Sequence, residues 1–387
     1  MIIFNLQNLI PQTFLICLRY FLFYVIISSN IAKKDVRHLS KSKILHLLSS
    51  NKFTNIENTI SQSIKILEND FEFAYASPNG QISKVLRSKE LNYLPIENWD
   101  LKTISSIIET YSPDIIHAHD YEACHIASKF SKSIKVIAQI HTDSDDMKKT
   151  TLKSLSFKNA SKHFPKIVWP SEYVKNSYKY FDVKQDNQKN ILISPAVNCE
   201  NVIEKSNSAV EENPTQFDML MFIDDMENEE IKKVINILAL LQGRGFTFKF
   251  GAISSNVQNT EISEYLKETE VADSFVFVNK TDNYYNLLAK TKILFIGKKY
   301  EDTPIYALEA GALGVPVLSV FCNGLKHIIQ NEFNGFLANN EYDLANFAAR
   351  MLDDRHLWLL LSTNALSTSY VQNDLEKYKN ELIDLYK

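Results

Sequence analysis

Residues 300–320 read YEDTPIYALEAGALGVPVLSV, and the fold can be read outward from them. Pro304 suits a first helical turn, where its missing N–H is one that has no helical partner anyway. Asp302 or Thr303 offers a side-chain oxygen as N-cap just before it. Gly314 suits the C-cap and Pro316 stops the helix, which predicts a helix over 304–313 and a strand over 315–320. Upstream, 293–296 is another short apolar strand. A helix that opens directly after a strand and loop presents unpaired backbone N–H groups and the positive end of its dipole, which together suit an anion. Glu301 sits just before that opening and Glu309 two turns beyond it, while Lys298 and Lys299 lie just upstream with charge suited to phosphate.

The same alternation continues in both directions. Strands are expected at 218–223, 247–252 and 274–278, with helices at 229–241, 260–269 and 283–290 between them. Residues 352–387 read as helical. The first half repeats the pattern, with strands at 43–48, 71–76, 114–118, 135–140, 166–169 and 191–194. Its helices fall at 54–67, 81–89, 101–111 and 122–130, and Ser171 caps another. Thr54 or Asn55 caps the first of these, with Ile56, Ile60, Ile64 and Leu67 on its apolar face. Short apolar strands alternating with helices imply parallel pairing through right-handed crossovers. The expected fold is therefore α/β, with two Rossmann-like doubly wound domains facing a cleft. The expected boundaries are 1–41 for an apolar leader, 42–200 for the first domain, 201–217 for a polar linker and 218–362 for the second domain. A helix over 363–387 should cross back to the first domain.

Composition narrows the classes. The chain has 387 residues, long enough for two cores. A net charge of −4 gives no basic footprint for nucleic acid. Cys17, Cys124, Cys199 and Cys322 lie far apart without CxxC pairing, which argues against a zinc knuckle or a disulfide framework and fits a reducing compartment. Residues 10–28 are nearly all apolar and of about membrane-spanning length, but Arg19 sits in their middle. Lys33, Lys34, Arg37, Lys41 and Lys43 follow, and would hold that side in the cytoplasm. Either this segment anchors the chain at the inner face of the cell membrane, or it is upstream sequence that anchors nothing.

The spacing Glu301-DTPIYAL-Glu309, continued by Ala310, Gly314, Pro316 and Val317, resembles the donor site of family-4 glycosyltransferases, which are retaining GT-B enzymes. The resemblance extends over nearly all of 43–369, and 43–58 most resembles capsule and surface-polysaccharide members. SPDIIHAHD (112–120), VIAQIHTD (136–143), VWPSEY (168–173) and the run from Asn323-Gly324 to Asn334-Gly335-Phe336-Leu337 look like the family's other segments. It implies that Glu301 contacts the donor sugar, Glu309 the ribose hydroxyls and backbone groups near Thr303 the diphosphate. It also implies that His141 stands near the sugar. His117 and His119 read either as site residues or as core histidines, and no carboxylate is spaced to complete a metal site with them.

Some positions depart from the family pattern. The first loop, 49–57, has no glycine, and Pro195-Ala196 and His327 replace other usual residues. Asp225 and Glu230 stand where the family has the arginine and lysine that hold the donor diphosphate. Two readings follow. One is a retaining hexosyltransferase that needs no metal or cofactor. It would move a sugar from a UDP- or GDP-linked donor to a glycan or lipid-linked acceptor in surface polysaccharide biosynthesis (capsule or lipopolysaccharide), in the cytoplasm or at a membrane surface. The other is a catalytically degenerate GT-B protein acting as a binding or regulatory subunit.

Overall fold

Each half of the chain lays its short apolar runs side by side as one parallel sheet. The computed structural model describes residues 41–141, 144–181, 189–208, 216–255, 257–281, 283–299 and 304–387. Glu301, Thr303 and all but the last residue of the expected leader lie outside them.

The first half runs β1 (Lys43–Leu47), α1 (Asn55–Leu67), β2 (Glu72–Pro78), α2 (Ile82–Ser88), β3 (Tyr93–Ile96), α3 (Leu101–Tyr111), β4 (Ile115–Ala118), α4 (Tyr121–Ala127) and β5 (Lys135–Gln139). It continues with α5 (Asp145–Lys148), α6 (Leu152–Ser161), β6 (Lys166–Trp169), α7 (Glu172–Ser177) and β7 (Asn190–Leu192); α8 (Cys199–Asn207) follows, with Cys199 and Val202 in the core of the second half. The second half runs β8 (Met219–Phe222), α9 (Asn228–Gly243), β9 (Phe250–Ser254), α10 (Thr260–Lys267), β10 (Phe275–Asn279), α11 (Tyr285–Ala289), β11 (Ile293–Ile296) and α12 (Ile305–Ala312). β12 (Val317–Val320), β13 (Gly335–Ala338), α13 (Glu341–Asp353), α14 (Arg355–Gln372) and α15 (Leu375–Tyr386) complete it.

The seven-stranded sheet has the order β3-β2-β1-β4-β5-β6-β7 and the six-stranded sheet β10-β9-β8-β11-β12-β13. Central strands such as MLMF and ILFI are buried throughout, as a sheet covered on both faces requires. Strand order reverses between β1 and β4 and again between β8 and β11, so each sheet has one topological switch point. In the first sheet, Leu45, Ala118, Val136 and Trp169 face one core and Ile44, Phe73, Ile115 and Ile137 the other. Tyr378, Leu382, Leu385 and Tyr386 of α15 join the second of these cores, so the last helix packs on the first half.

Some elements differ from the expectation. The stretch expected as a linker opens inside α8, which Asn198 caps by accepting from the Asn201 N–H. Asn283 and Asn286 donate to the main-chain oxygens of Lys205 and Ser206, which ties α8 to the second half. Residues 352–387 are not one helix. Asp354 caps α14 by accepting from the His356 and Leu357 N–H groups, and Asp374 caps α15 through the Lys377 N–H. The boundary expected at residue 362 therefore falls within α14.

Candidate active site

The carboxyl ends of both sheets meet across one cleft, where ligands of doubly wound sheets bind. It holds a cavity of about 60 Å³. Phe53, Thr54, Asn55 and Asn58 wall it from the first half, and Phe222, Asp224, Asp225, Lys280, Tyr284 and Tyr306 from the second. Most of these residues lie just past strand ends or at the start of α1. Thr54 fixes that start, since its N–H donates to Glu57 Oε2 at 2.8 Å and its own hydroxyl accepts from the Ile56 N–H.

Asp224 and Lys280 form the best-defined charged pair in the cavity, 2.9 Å apart and both largely buried. Burial alone would raise the Asp224 carboxyl. The Lys280 charge and hydrogen bonds from Ser255 and Lys280 outweigh that and hold it below the usual carboxylate range. The Lys280 ammonium also lies over the Phe53 and Phe222 rings, 5.6 and 6.0 Å from their centroids. Asp225 lines the cavity too, with the Tyr306 hydroxyl 3.5 Å from its carboxylate. Glu230 does not accompany it. Its carboxylate accepts from the Glu227 N–H at 2.9 Å and caps α9. The two carboxylates that the resemblance sets against the family's cations therefore have separate fates.

Helix α12 starts after Pro304, and Gly314 beyond its end has φ +67°, a backbone region that glycine enters without strain. The first amide of α12, Ile305 N–H, donates to Asn55 Oδ1 of the first half at 2.6 Å. Glu309 is fully buried. It accepts from Tyr284 Oη at 2.5 Å, Tyr285 Oη at 3.0 Å and Gln62 Nε2 at 2.8 Å. Burial raises the Glu309 carboxyl above its ordinary range despite these three donors and the charge of Lys89. Glu309 thus stands one hydrogen bond behind the cavity wall, with protein donors where the family resemblance places ribose hydroxyls.

The other expected residues are dispersed. Lys298 donates to the Asp225 main-chain oxygen and braces the loop after β8, while Lys299 is exposed. His141 is buried just past β5 and lies outside the cavity wall. Its Nε2 is 3.1 Å from His119 Nδ1, and His119 Nε2 is 2.7 Å from His46 Nδ1. Gln62, Asp224, Lys280, Tyr284 and Tyr285 carry no motif of their own in the sequence pattern, and Asn55 reads there only as a helix cap. A position directly past a strand's carboxyl end was the available signal for Lys280.

Among the described residues, His46, His117 and His119 offer ligand nitrogens within 4.8 Å of one another. Imidazoles bound tetrahedrally to zinc at 2.0–2.1 Å stand about 3.3 Å apart. The 2.7 Å separation of His46 and His119 is shorter and is a hydrogen-bond distance. Burial lowers the His46 pKa to about 3, and burial together with neighbouring histidines puts His117 and His119 well below the ordinary value. These rings are neutral, and they fit a hydrogen-bonded cluster better than a metal centre.

Two parallel sheets whose switch points face one cleft define the GT-B fold of glycosyltransferases. The sequence agrees. Residues 70–201 match the family model for Glycosyltransferase Family 4 and residues 203–365 that for Glycosyl transferases group 1. Together the two matches span most of the chain, which belongs to the glycosyltransferases of GT-B fold. It is 25% identical over 270 residues to an uncharacterized glycosyltransferase of Methanocaldococcus jannaschii, covering 67% of this chain and 71% of that one. It is 27% identical over 127 residues to N-acetyl-alpha-D-glucosaminyl L-malate synthase of Bacillus anthracis, a match that spans 32% of this chain and only 33% of that protein. Among solved structures, Anabaena HepE in complex with UDP superposes with a TM-score of 0.68 at 13% identity, covering 89% of this chain and 99% of that one.

Proposed function

We propose that the protein moves a sugar from a UDP- or GDP-linked donor to a glycan or lipid-linked acceptor, with retention of configuration, in surface polysaccharide assembly at the inner face of the membrane. The observation that carries this reading is the start of α12. It opens into the cleft, and its first amide already holds a foreign oxygen, that of Asn55. A leaving diphosphate gathers charge on its oxygens, and backbone N–H groups fixed at a helix start stabilise that charge without reorganising. Displacing Asn55 gives the diphosphate that place. Glu301 and His141 then take the sugar side, Glu309 the ribose, and backbone groups near Thr303 with Lys298 and Lys299 the diphosphate. The fold relative HepE is described with UDP and with UDP-glucose, and WaaG, of similar fold, is described as involved in lipopolysaccharide biosynthesis. Among the described residues no helix is long and apolar enough to cross a membrane, so membrane contact in this reading rests on residues 10–28.

A specific observation favours the second reading, a GT-B protein that binds without catalysis. The cavity carries Asp224 and Asp225, and both Ile305 N–H and Glu309 are already paired to α1. Thermal unfolding with UDP, GDP and their sugar conjugates separates the two. Ligand at 100 times its Kd stabilises by about 2.7 kcal/mol. A nucleotide-dependent rise in Tm together with donor turnover is the expected result. No shift with any nucleotide leaves the binding-subunit reading standing.

A further inference from the structure

Four histidines from three adjacent strands lie on one face of the first sheet. His46 belongs to β1, His117 to β4, His119 follows β4 and His141 follows β5. All four are at most 2% exposed. His46, His119 and His141 form a continuous chain, with nitrogens 2.7 Å apart at the first link and 3.1 Å at the second. His117 lies against the middle ring, 4.1 Å between centroids, and its Nδ1 is 2.9 Å from Tyr386 Oη on the last helix.

We propose that His46 and His119 hold His141 as its Nδ1–H tautomer through a one-way chain of imidazole hydrogen bonds, which makes His119 a positioning residue for His141. The positioning role rests on the reading that His141 meets the donor sugar. A neutral imidazole has one N–H and one lone pair, so every link of the chain points the same way. In one direction, His46 Nδ1–H donates to His119 Nε2, and His119 Nδ1–H donates to His141 Nε2. In the other, both links reverse and the last proton sits on His46 Nε2. That atom is buried and has no hydrogen-bond partner among the described residues. An orphaned N–H in a protein core is rarer than an under-used acceptor, so the first direction wins. Burial keeps His46 and His119 from taking a second proton, which preserves the single direction. His141 then accepts through Nε2 and carries its proton on Nδ1, because the bond made by one ring nitrogen sets the state of the other. Links of this kind also polarise one another in series.

The test is a long-range proton–nitrogen correlation spectrum of the full chain with ¹⁵N-labelled histidine rings. His141 is assigned by the signals lost in His141→Gln. At neutral pH the expected pattern is a protonated Nδ1 and a bare Nε2. His119→Phe removes the donor, and the His141 pattern is expected to move to Nε2–H or to a mixture. A wild-type His141 in the Nε2–H form overturns the proposal even if His119→Phe does not fold. So does an unchanged Nδ1–H pattern in folded His119→Phe. Titration with UDP and GDP tests the donor role separately. An Nδ1–H His141 whose signals neither nucleotide moves supports the chain and overturns only the contact with the donor.

Discussion

Glu309 joins the two domains through one carboxylate. The family resemblance implies a ligand for it, whereas the fold surrounds it with Tyr284, Tyr285 and Gln62. The spacing to Glu301 is local and therefore legible. The partner Gln62 lies 247 positions away, and no local pattern reports such a contact. Glu309→Ala is expected to act on stability as well as on any nucleotide. It leaves two buried tyrosine hydroxyls without their acceptor, each at about 1–3 kcal/mol. Relief of the buried carboxylate offsets part of that, so a net loss of about 2 kcal/mol in denaturant unfolding is expected. A loss under about 0.5 kcal/mol would mean that the tyrosines find other acceptors. Asp224 gives a different signature. Its carboxyl lies below the ordinary value of 3.8 in the folded chain. The stability it contributes is complete above that ordinary value and is lost as pH falls through the lowered one. Asp224→Asn should therefore flatten the acid limb of the stability–pH curve. An unchanged limb would show that the pair with Lys280 contributes nothing net.

Helix α1 serves two surfaces. Ile60, Ile64 and Leu67 fill the core beneath it, while Asn55 and Gln62 reach the second domain. Its 3.6-residue apolar period was readable because it faces a sheet. The polar contacts on its other side have no period to read. The same logic separates the strands that sequence exposes from those it hides. β8 and β11 are continuous apolar runs, whereas β3 is a half-buried edge strand containing Pro95. β13 begins with Gly335, where an added Cβ would lie 2.4 Å from the Val317 carbonyl oxygen, so the close approach that demands glycine also weakens the strand signal. Helix α6 leaves Leu152 and Leu155 exposed and has no clean apolar face. Gln62→Ala tests the α1 contact with Glu309. A hydrogen bond to a charged acceptor is worth about 1.5–3 kcal/mol. If that bond competes with the ribose, its removal should tighten UDP or GDP binding by roughly tenfold in calorimetry. Equal or weaker binding would show that Gln62 stays on Glu309 when nucleotide is bound.

Among the described residues the chain crosses between the two domains twice, and one side chain spans both crossings. Ala196 packs in the first half's core and Val197 in the second's, which places one crossing between them. The other lies at Asn373, between α14 and α15. Asn373 Oδ1 accepts from the Val197 N–H at 3.1 Å, and its Nδ2 donates to the Ser369 oxygen at 3.0 Å, in a buried setting. The cavity of about 60 Å³ shares Phe53, Val85, Asp224 and Ser255 with a neighbouring one of about 620 Å³, which is within the roughly 300–1,000 Å³ usual for small-molecule sites. Motion of one half against the other would be absorbed where the chain crosses between them. Asn373→Ala removes the tie and orphans a buried N–H, at about 1–3 kcal/mol. Part of that loss is expected to appear as opening. By X-ray scattering, the nucleotide-free variant should have a larger radius of gyration than the parent, and saturating UDP or GDP should bring the two together. A variant that is less stable but has the parent's radius in both states would place the hinge elsewhere and leave Asn373 with a packing role alone.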